Sequence, residues 1–269
     1  MPETFLILLA GGVMLAAAVP RPDDVTLHWL RLGGIIALCM FALGAFFYVR
    51  RDLVSEMPAF YRRVQAGLLV AAAAGILGQL AFVQVAWRRT QRAFAAGAFV
   101  IAVLAGANLL HELMVARQTA VRFPPKALSV ALQAIACAGV AVLPGLALMD
   151  MLLGHAYLTA SKMTTAPFRR VSLALAWALA ARAAIAIGLV LLLQSRRPVE
   201  MLWTLYGLYA GTRWLVGLAV PAAFVYMAHD CIRRRHTQAA TGILYVTGVL
   251  IFLGEIVALY LVGETGLPF

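Results

Sequence analysis

The chain consists of long apolar stretches joined by short connections that are rich in arginine and proline. A helix that crosses a bilayer needs about 20 mostly apolar residues, with a range of about 17 to 25. Eight stretches meet this requirement: Thr4–Pro20, Leu32–Val49, Val64–Trp87, Ala93–Ala116, Ala127–Leu153, Val171–Gln194, Val199–Ala228 and Ala239–Val262. We therefore predict an all-α, polytopic transmembrane bundle of about eight spans. Residues 1–269 form a single integral membrane domain, with halves at 1–120 and 121–269.

Composition agrees with a membrane protein and argues against nucleic-acid binding. Hydrophobic residues make up 64% of the 269 residues and charged residues 12%, whereas soluble domains carry about 25% charged residues. The net charge of +11 comes from arginines and lysines that cluster at the ends of the apolar stretches. Such clusters anchor helices at the membrane surface and select topology. The partner that the composition indicates is the lipid bilayer.

The N-terminus indicates a retained helix and an orientation. Its first segment carries Glu3 and no lysine or arginine, whereas a cleaved signal peptide has a positive leading region. Glu3 before the first stretch, and Arg21 and Arg31 after it, favour an N-terminus outside the cytoplasm. The three cysteines are scattered singly, so no spacing predicts zinc, an iron–sulfur cluster or covalently attached haem.

Three charged residues lie inside the last three apolar stretches. Arg182 and Arg213 are each near the middle of one stretch, and Glu255 is in the final stretch. A charge at that depth is costly and indicates a functional site with a partner nearby. The alternative is a structural bridge that holds the helices together. Two cations against one anion leave an excess positive charge, which either Asp150 or a ligand would have to balance.

Tyrosines accompany Arg213 along one helical face. Tyr206, Tyr209 and Arg213 are spaced i, i+3, i+7, which aligns them on the same side of a helix. A guanidinium offers several donors in one plane, and tyrosine rings offer a stacking surface. This combination predicts binding of a quinone head group or an anionic ligand.

Polar residues close the fifth and seventh stretches at the same side of the membrane. Asp150, His155 and Tyr157 end one helix, and His229 and Asp230 end the other. They could form a site at the membrane boundary, or the histidines and tyrosine could serve as amphipathic anchors. His155 and His229 are also the one pair that could ligate a single b-type haem from two helices. We favour a quinone over this haem.

Prolines precede both polar ends and predict bent helices. Pro144 and Pro221 each free a carbonyl group within an apolar stretch, and such a group is tolerated only beside a cavity or a neighbouring helix. We expect a cavity between the fifth to eighth helices that opens toward His155. Its expected lining residues are Asp150, His155, Arg182, Tyr209 and Arg213.

The fourth stretch carries a second set of polar side chains. Asn108, His111 and Glu112 share one face, and Gln79 and Gln84 lie on the third stretch. We interpret the amide side chains as forming hydrogen bonds between helices, each of which stabilises the bundle by about 1 kcal/mol. For Glu112 both a structural and a functional interpretation remain open.

Three short stretches in the second half carry a resemblance. They are Leu153-Gly154-His155-Ala156-Tyr157-Leu158; Thr212-Arg213-Trp214 with Gly217 and Pro221; and Thr237-Gln238-Ala239-Ala240-Thr241-Gly242-Ile243-Leu244-Tyr245 leading to Gly254-Glu255. Together they resemble an uncharacterised group of bacterial eight-helix integral membrane proteins. The resemblance implies a family signature and no mechanism. In general build the chain also resembles the membrane subunits of respiratory complexes.

These observations favour a membrane subunit of a bacterial respiratory or electron-transfer complex. We expect it to be linked to quinone or haem, to dock a redox partner, and to leave the catalytic chemistry to a cofactor or partner subunit. The alternatives are a transporter or channel for an anionic or lipid-like substrate, and a structural anchor without a cofactor. The expected location is the bacterial inner membrane. The candidate cofactor-binding residues are Asp150, His155, Arg182, Tyr209, Arg213, His229 and Glu255.

Overall fold

The computed structural model describes residues 1–20, 25–51, 59–116, 126–159, 164–192 and 197–265, and within these ranges the chain is helical with short turns. The described helices are α1 (Pro2–Ala18), α2 (Leu27–Val49), α3 (Ala59–Gln84), α4 (Arg88–Ala116), α5 (Lys126–Thr159), α6 (Ala166–Leu192), α7 (Arg197–Thr204), α8 (Gly207–Arg233) and α9 (Thr237–Thr265). Seven of them, α2 to α6, α8 and α9, are long and apolar enough to cross a membrane. The predicted all-α polytopic bundle is confirmed.

The first helix lies in the middle of the bundle. Helix α1 has 17 residues, fewer than the spanning helices, and it packs against α2, α4 and α5. Ile7, Leu8, Ala10, Val13 and Met14 are all fully buried. Lipid tails are as apolar as these side chains, so close packing rather than the hydrophobic effect must hold α1 among its neighbours.

The long helices expose their apolar side chains outward. Val70, Trp177, Leu192, Leu208 and Tyr226 each expose most of their surface. On a soluble protein so much exposed apolar surface would mark an aggregation hazard or an interface. On helices of spanning length it is the surface that contacts lipid.

Helices α5, α6, α8 and α9 enclose one common seam. Helix α5 packs against α6, α6 against α8, α8 against α9, and α9 against α5. Two buried arginines and a buried glutamate of the described residues lie along this seam.

The predicted seventh span is divided in the structure. We expected one helix over Val199–Ala228, but the chain leaves helical geometry at Leu205 and Tyr206, between α7 and α8. Within α8, Thr212–Ala219 is π-helical and ends just before Pro221. Proline cannot donate to the preceding turn and its ring clashes with the carbonyl four residues back. A wider π turn relieves that clash, and such turns are frequent at functional sites.

Candidate functional site

Two arginines and one glutamate meet inside the seam. Nη1 of Arg213 lies 2.8 Å from Oε1 of Glu255, and Nη2 of Arg182 lies 3.2 Å from Oε2. All three side chains are buried, with exposures of 0–2%. The prediction that Arg213 and Glu255 are buried and close together is confirmed. We call these three residues the charge triad.

Glycines on the surrounding helices make room for the triad. A Cβ added to Gly139 of α5 would lie 2.8–2.9 Å from the Nε, Cδ and Cζ of Arg182. A Cβ added to Gly217 of α8 would lie 2.6 Å from the Cα of Gly254 and 3.2 Å from Nη1 of Arg213. All four helices of the seam therefore contribute to the site, α5 by the absence of a side chain.

The triad lies deep in the bundle. Arg182 is ten residues from the end of α6 at Leu192 and sixteen from its start at Ala166, which correspond to about 15 Å and 24 Å of helix. These distances place the guanidinium well inside a hydrocarbon layer about 30 Å thick. With two arginines and one glutamate, the charge triad carries one net positive charge.

Arg213 has N–H groups that donate no hydrogen bond to any described residue. Its Nε and Nη2 are buried without a hydrogen-bond partner among the described residues. Its Nη1 contacts Glu255 at 2.8 Å, but the N–H direction does not meet the geometry of a hydrogen bond. A buried guanidinium normally satisfies its donors because an unmade hydrogen bond is costly. Arg213 is therefore the member of the triad that could bind an additional acceptor.

Close approach of α8 and α9 is what brings Arg213 to Glu255. A Cβ on Gly254 would lie 2.2 Å from the Cα of Gly217, a backbone atom that cannot move aside. We expect Gly254→Ala to separate the two helices and to lower the free energy of unfolding by about 1–3 kcal/mol. Thermal unfolding in detergent measures this change.

The control for that substitution is on the same helix. Gly248 is buried in α9, yet an added Cβ there would meet nothing within 4 Å. Gly248→Ala should be neutral or stabilising by up to about 1 kcal/mol, because alanine favours helix more than glycine does. Equal losses in both variants would contradict the packing argument.

The predicted aromatic stripe forms a cluster with a third tyrosine. Tyr206, just before α8, and Tyr209 of α8 both contact Tyr260 of α9, with ring centroids 6.2 Å and 4.9 Å apart. Tyr206 also donates a hydrogen bond to Glu264 at 3.3 Å. The stripe therefore faces α9, as Arg213 does. Tyr260 was missed in the sequence, although it follows Glu255 by little more than one helical turn.

The stretches that carry the resemblance meet along α9. A Cβ on Gly154 would lie 2.7 Å from Oγ1 of Thr241, and His155 is 3.3 Å from the hydroxyl of Tyr245. Tyr157 donates a hydrogen bond to the carbonyl of Thr164. The stretch that contains Arg213 joins α9 through the Arg213–Glu255 contact. Helix α9 thus runs from the polar end of the bundle, where it contacts His155, to the buried charge triad.

His229 lies at the same end of the bundle but in a different environment. It lines an apolar groove between α6 and α8, with a cavity volume of about 400 Å³. Its Nδ1 is buried without a partner among the described residues. His155 instead contacts α9. No hydrogen bond or ring contact joins these two histidines in the described ranges, so the single-haem hypothesis stays a prediction.

The groove between α6 and α8 differs from the cavity that we expected. It opens on the outer face of the bundle rather than inside the seam, and Asp150, Arg182 and Arg213 do not line it. Two of its lining residues, Ala183 and Trp214, are the chain neighbours of the triad arginines. Tyr209 lines another groove, of about 500 Å³, against the start of α1.

Asp150 stands apart from the triad. It is fully buried in α5, and neither carboxyl oxygen has a hydrogen-bond partner among the described residues. Asp150 and Gly139 are eleven residues apart on α5, which places them on nearly the same face about 16 Å apart along the axis. The triad is therefore not neutralised by Asp150.

Amide side chains of α3 and α4 form hydrogen bonds to neighbouring helices. Asn108 donates to Oε1 of Gln65 at 2.8 Å and to Glu112 at 3.2 Å. Gln79 donates to the carbonyl of Leu30 at 3.4 Å. These contacts match the structural interpretation of Gln79 and Asn108.

Comparison of the chain with protein-family models, curated proteins and solved structures found no match. Among the described residues, no group of three or more histidine, cysteine, aspartate or glutamate side chains could hold a metal ion.

Proposed function

We propose that the chain is a membrane subunit of a bacterial electron-transfer complex and binds a quinone in the groove between α6 and α8. The observation that carries the proposal is the shape of this groove, which is apolar along its length and reaches His229 at one end. The proposed location is the bacterial inner membrane with the N-terminus outside, which the charges around the first helix support.

The dimensions of the groove suit an isoprenoid quinone. From Trp214 to His229 it follows fifteen residues of α8, about 22 Å of helix. Its apolar wall would hold the tail within the hydrocarbon, and His229 lies at the end nearest the membrane surface. Arg169 of α6 and Arg233 of α8 lie near His229. This end is suited to the carbonyl oxygens of a quinone head group.

The test fills the groove with one side chain. Ala222 and Ala223 are consecutive exposed residues of α8, and only Ala222 lines the groove. We expect Ala222→Trp to abolish labelling of the purified protein by a photoreactive quinone, because the indole occupies the space of the tail. Ala223→Trp places the same indole outside the groove and should be labelled like the wild type.

Two further observations complete that test. The labelled peptide from the wild type should map to α6 or α8, near His229. A label that maps elsewhere, or equal labelling of both tryptophan variants, would contradict quinone binding in this groove. Quinone that copurifies with the wild type and is lost in Ala222→Trp would support it without a synthetic probe.

A second candidate function is supported by a different observation. The N–H groups of Arg213 without an acceptor in the described structure and the net positive charge of the triad suit an anionic substrate, as in a transporter or channel. In that case the triad would be the substrate site near the middle of the membrane. Anion uptake into proteoliposomes that depends on Arg213, and is indifferent to Ala222→Trp, would favour this candidate over the first.

A further inference from the structure

Asp150 is a buried acid that the proposed quinone groove does not use. Its exposure is 0%, and both of its carboxyl oxygens are buried without a partner in the described structure. An ionised carboxylate in such surroundings would lack both a counter-ion and hydrogen bonds, at a very high cost in free energy. The form that fits these surroundings is the neutral acid.

A second unpartnered polar group lies at the same depth. Gly154 of α5 packs against Phe168 of α6, since an added Cβ would lie 3.1 Å from the ring. Asp150 precedes Gly154 by four residues, and Ser172 follows Phe168 by four. On these antiparallel helices both residues therefore lie one turn further inward. The hydroxyl of Ser172 is also buried without a partner.

Charged and titratable groups on the neighbouring helices leave Asp150 unpaired. At this end of the bundle the groups on helices packed against α5 are His28 and Arg31 of α2, Arg88, Arg89 and Arg92 of α4, Arg169 and Arg170 of α6, and Tyr245 of α9. None of them forms an ion pair or hydrogen bond with Asp150 in the described structure. Helix α1 carries only Glu3, at the opposite end.

Polar side chains lead from Asp150 to one end of the bundle. Thr241 lies beside Gly154, one turn outward of Asp150, and the exposed His155 contacts Tyr245. Toward the triad the buried side chains of the seam are mostly apolar over about 16 Å, including Leu143, Leu146, Leu175, Leu179 and Ile251. The buried Thr247 of α9 donates its hydroxyl to the carbonyl of Ile243 in its own helix. Among the described residues, the polar side chains that lead from Asp150 to a membrane surface therefore lie toward the His155 end.

We propose that Asp150 is a proton-binding site that exchanges its proton with the membrane surface at the His155 end. The ligand is a proton rather than a metal cation, because a cation requires several oxygen ligands. Near this depth the described side chains offer the carboxyl of Asp150 and the hydroxyls of Ser172 and Thr247, and Thr247 is already hydrogen-bonded to the carbonyl of Ile243. The site stands independently of the quinone groove.

Infrared difference spectroscopy of the purified protein tests this assignment. At neutral pH the wild type should show the C=O stretching band of a protonated carboxylic acid, and Asp150→Asn should lose it. Glu255→Gln serves as the comparison, because Glu255 is ion-paired with two arginines and should not contribute such a band. Identical bands in the wild type and Asp150→Asn would overturn the proposal.

Exchange and ion competition test the nature of the ligand. Transfer into D₂O should shift the band, and His155→Leu should slow the shift at least severalfold, whereas His236→Leu in the exposed turn before α9 should leave it unchanged. A band that never shifts, a wild-type rate in His155→Leu, or loss of the band on adding Na⁺ would each overturn exchangeable proton binding from this end. Dicyclohexylcarbodiimide, which adds to neutral carboxyl groups in apolar surroundings, should modify Asp150 and not Glu255.

Discussion

Replacing Glu255 by glutamine is expected to lower the free energy of unfolding by about 3–5 kcal/mol, the range for breaking a buried ion pair by removing one partner. Glu255 is the one anion in contact with both triad arginines in the described structure. Its loss leaves two buried positive charges without the anion that contacts both of them. Unfolding in mixed micelles, followed by circular dichroism, measures the change.

The double variant tells a charge effect from a packing effect. In Arg213→Gln with Glu255→Gln, the Arg182 charge remains but the most deeply buried guanidinium is removed together with its partner. We expect the double variant to be milder than the sum of the single variants, by more than about 1 kcal/mol, because the two residues interact directly. Additive losses would show that the 2.8 Å contact contributes little.

A surface ion pair of the same protein provides the control. Asp230 and Arg234 form an i,i+4 pair at 2.8 Å, with exposures of 39% and 69%. Such pairs contribute about 0.3–0.5 kcal/mol, so Asp230→Asn should be almost neutral. The contrast between Asp230 and Glu255, which make contacts of equal length, isolates the effect of burial.

The double variant also separates the two proposed functions. It removes Arg213 and Glu255 but leaves Ala222 and His229 in place, so quinone labelling of the groove should persist. Transport of an anion through the triad should be lost. Loss of quinone labelling in a folded double variant would mean that the triad, rather than the groove, holds the head group.

Much of the fold could be predicted because bilayer thickness limits helix length so strongly. The apolar stretches at Val171–Gln194 and Ala239–Val262 predicted α6 and α9 with boundaries a few residues off. The prediction failed at α7 and α8, where the hydropathy continues through Leu205 and Tyr206 although the helix does not. Hydropathy reports transfer into lipid and carries no information on where backbone geometry breaks.

The site could be predicted in part for a similar reason. The cost of burying charge predicts from the sequence that Arg182, Arg213 and Glu255 form a site, and the contacts agree. Gly139 and the external groove could not be predicted, because both depend on which helices become neighbours. Nothing in the sequence distinguishes Gly139 from the alanines around it. Its role depends on the fold, in which Arg182 of α6 occupies the space beside it.

The second large effect is expected at Gly12 of α1, a helix that contributes no residue to the charge triad. A Cβ added there would lie 1.8 Å from the carbonyl oxygen of Ala141 and 2.6 Å from its carbonyl carbon. Gly145 faces Gly12 in return, since its own added Cβ would lie 2.1 Å from the Gly12 carbonyl carbon. Both obstacles are backbone atoms of α5, so neither a rotamer change nor a small side-chain shift can relieve the overlap.

Gly12→Ala is therefore expected to cost more than about 3 kcal/mol, above the usual range for overpacking, and to reduce the yield of folded protein. The central position of α1 amplifies the effect, because pushing α1 from α5 also disturbs its contacts with α2 and α4. Gly67→Ala in α3 and Gly97→Ala in α4 are matched controls, since nothing lies within 4 Å of either added Cβ. Wild-type stability and yield in Gly12→Ala would show that α1 does not pack at the centre of the bundle.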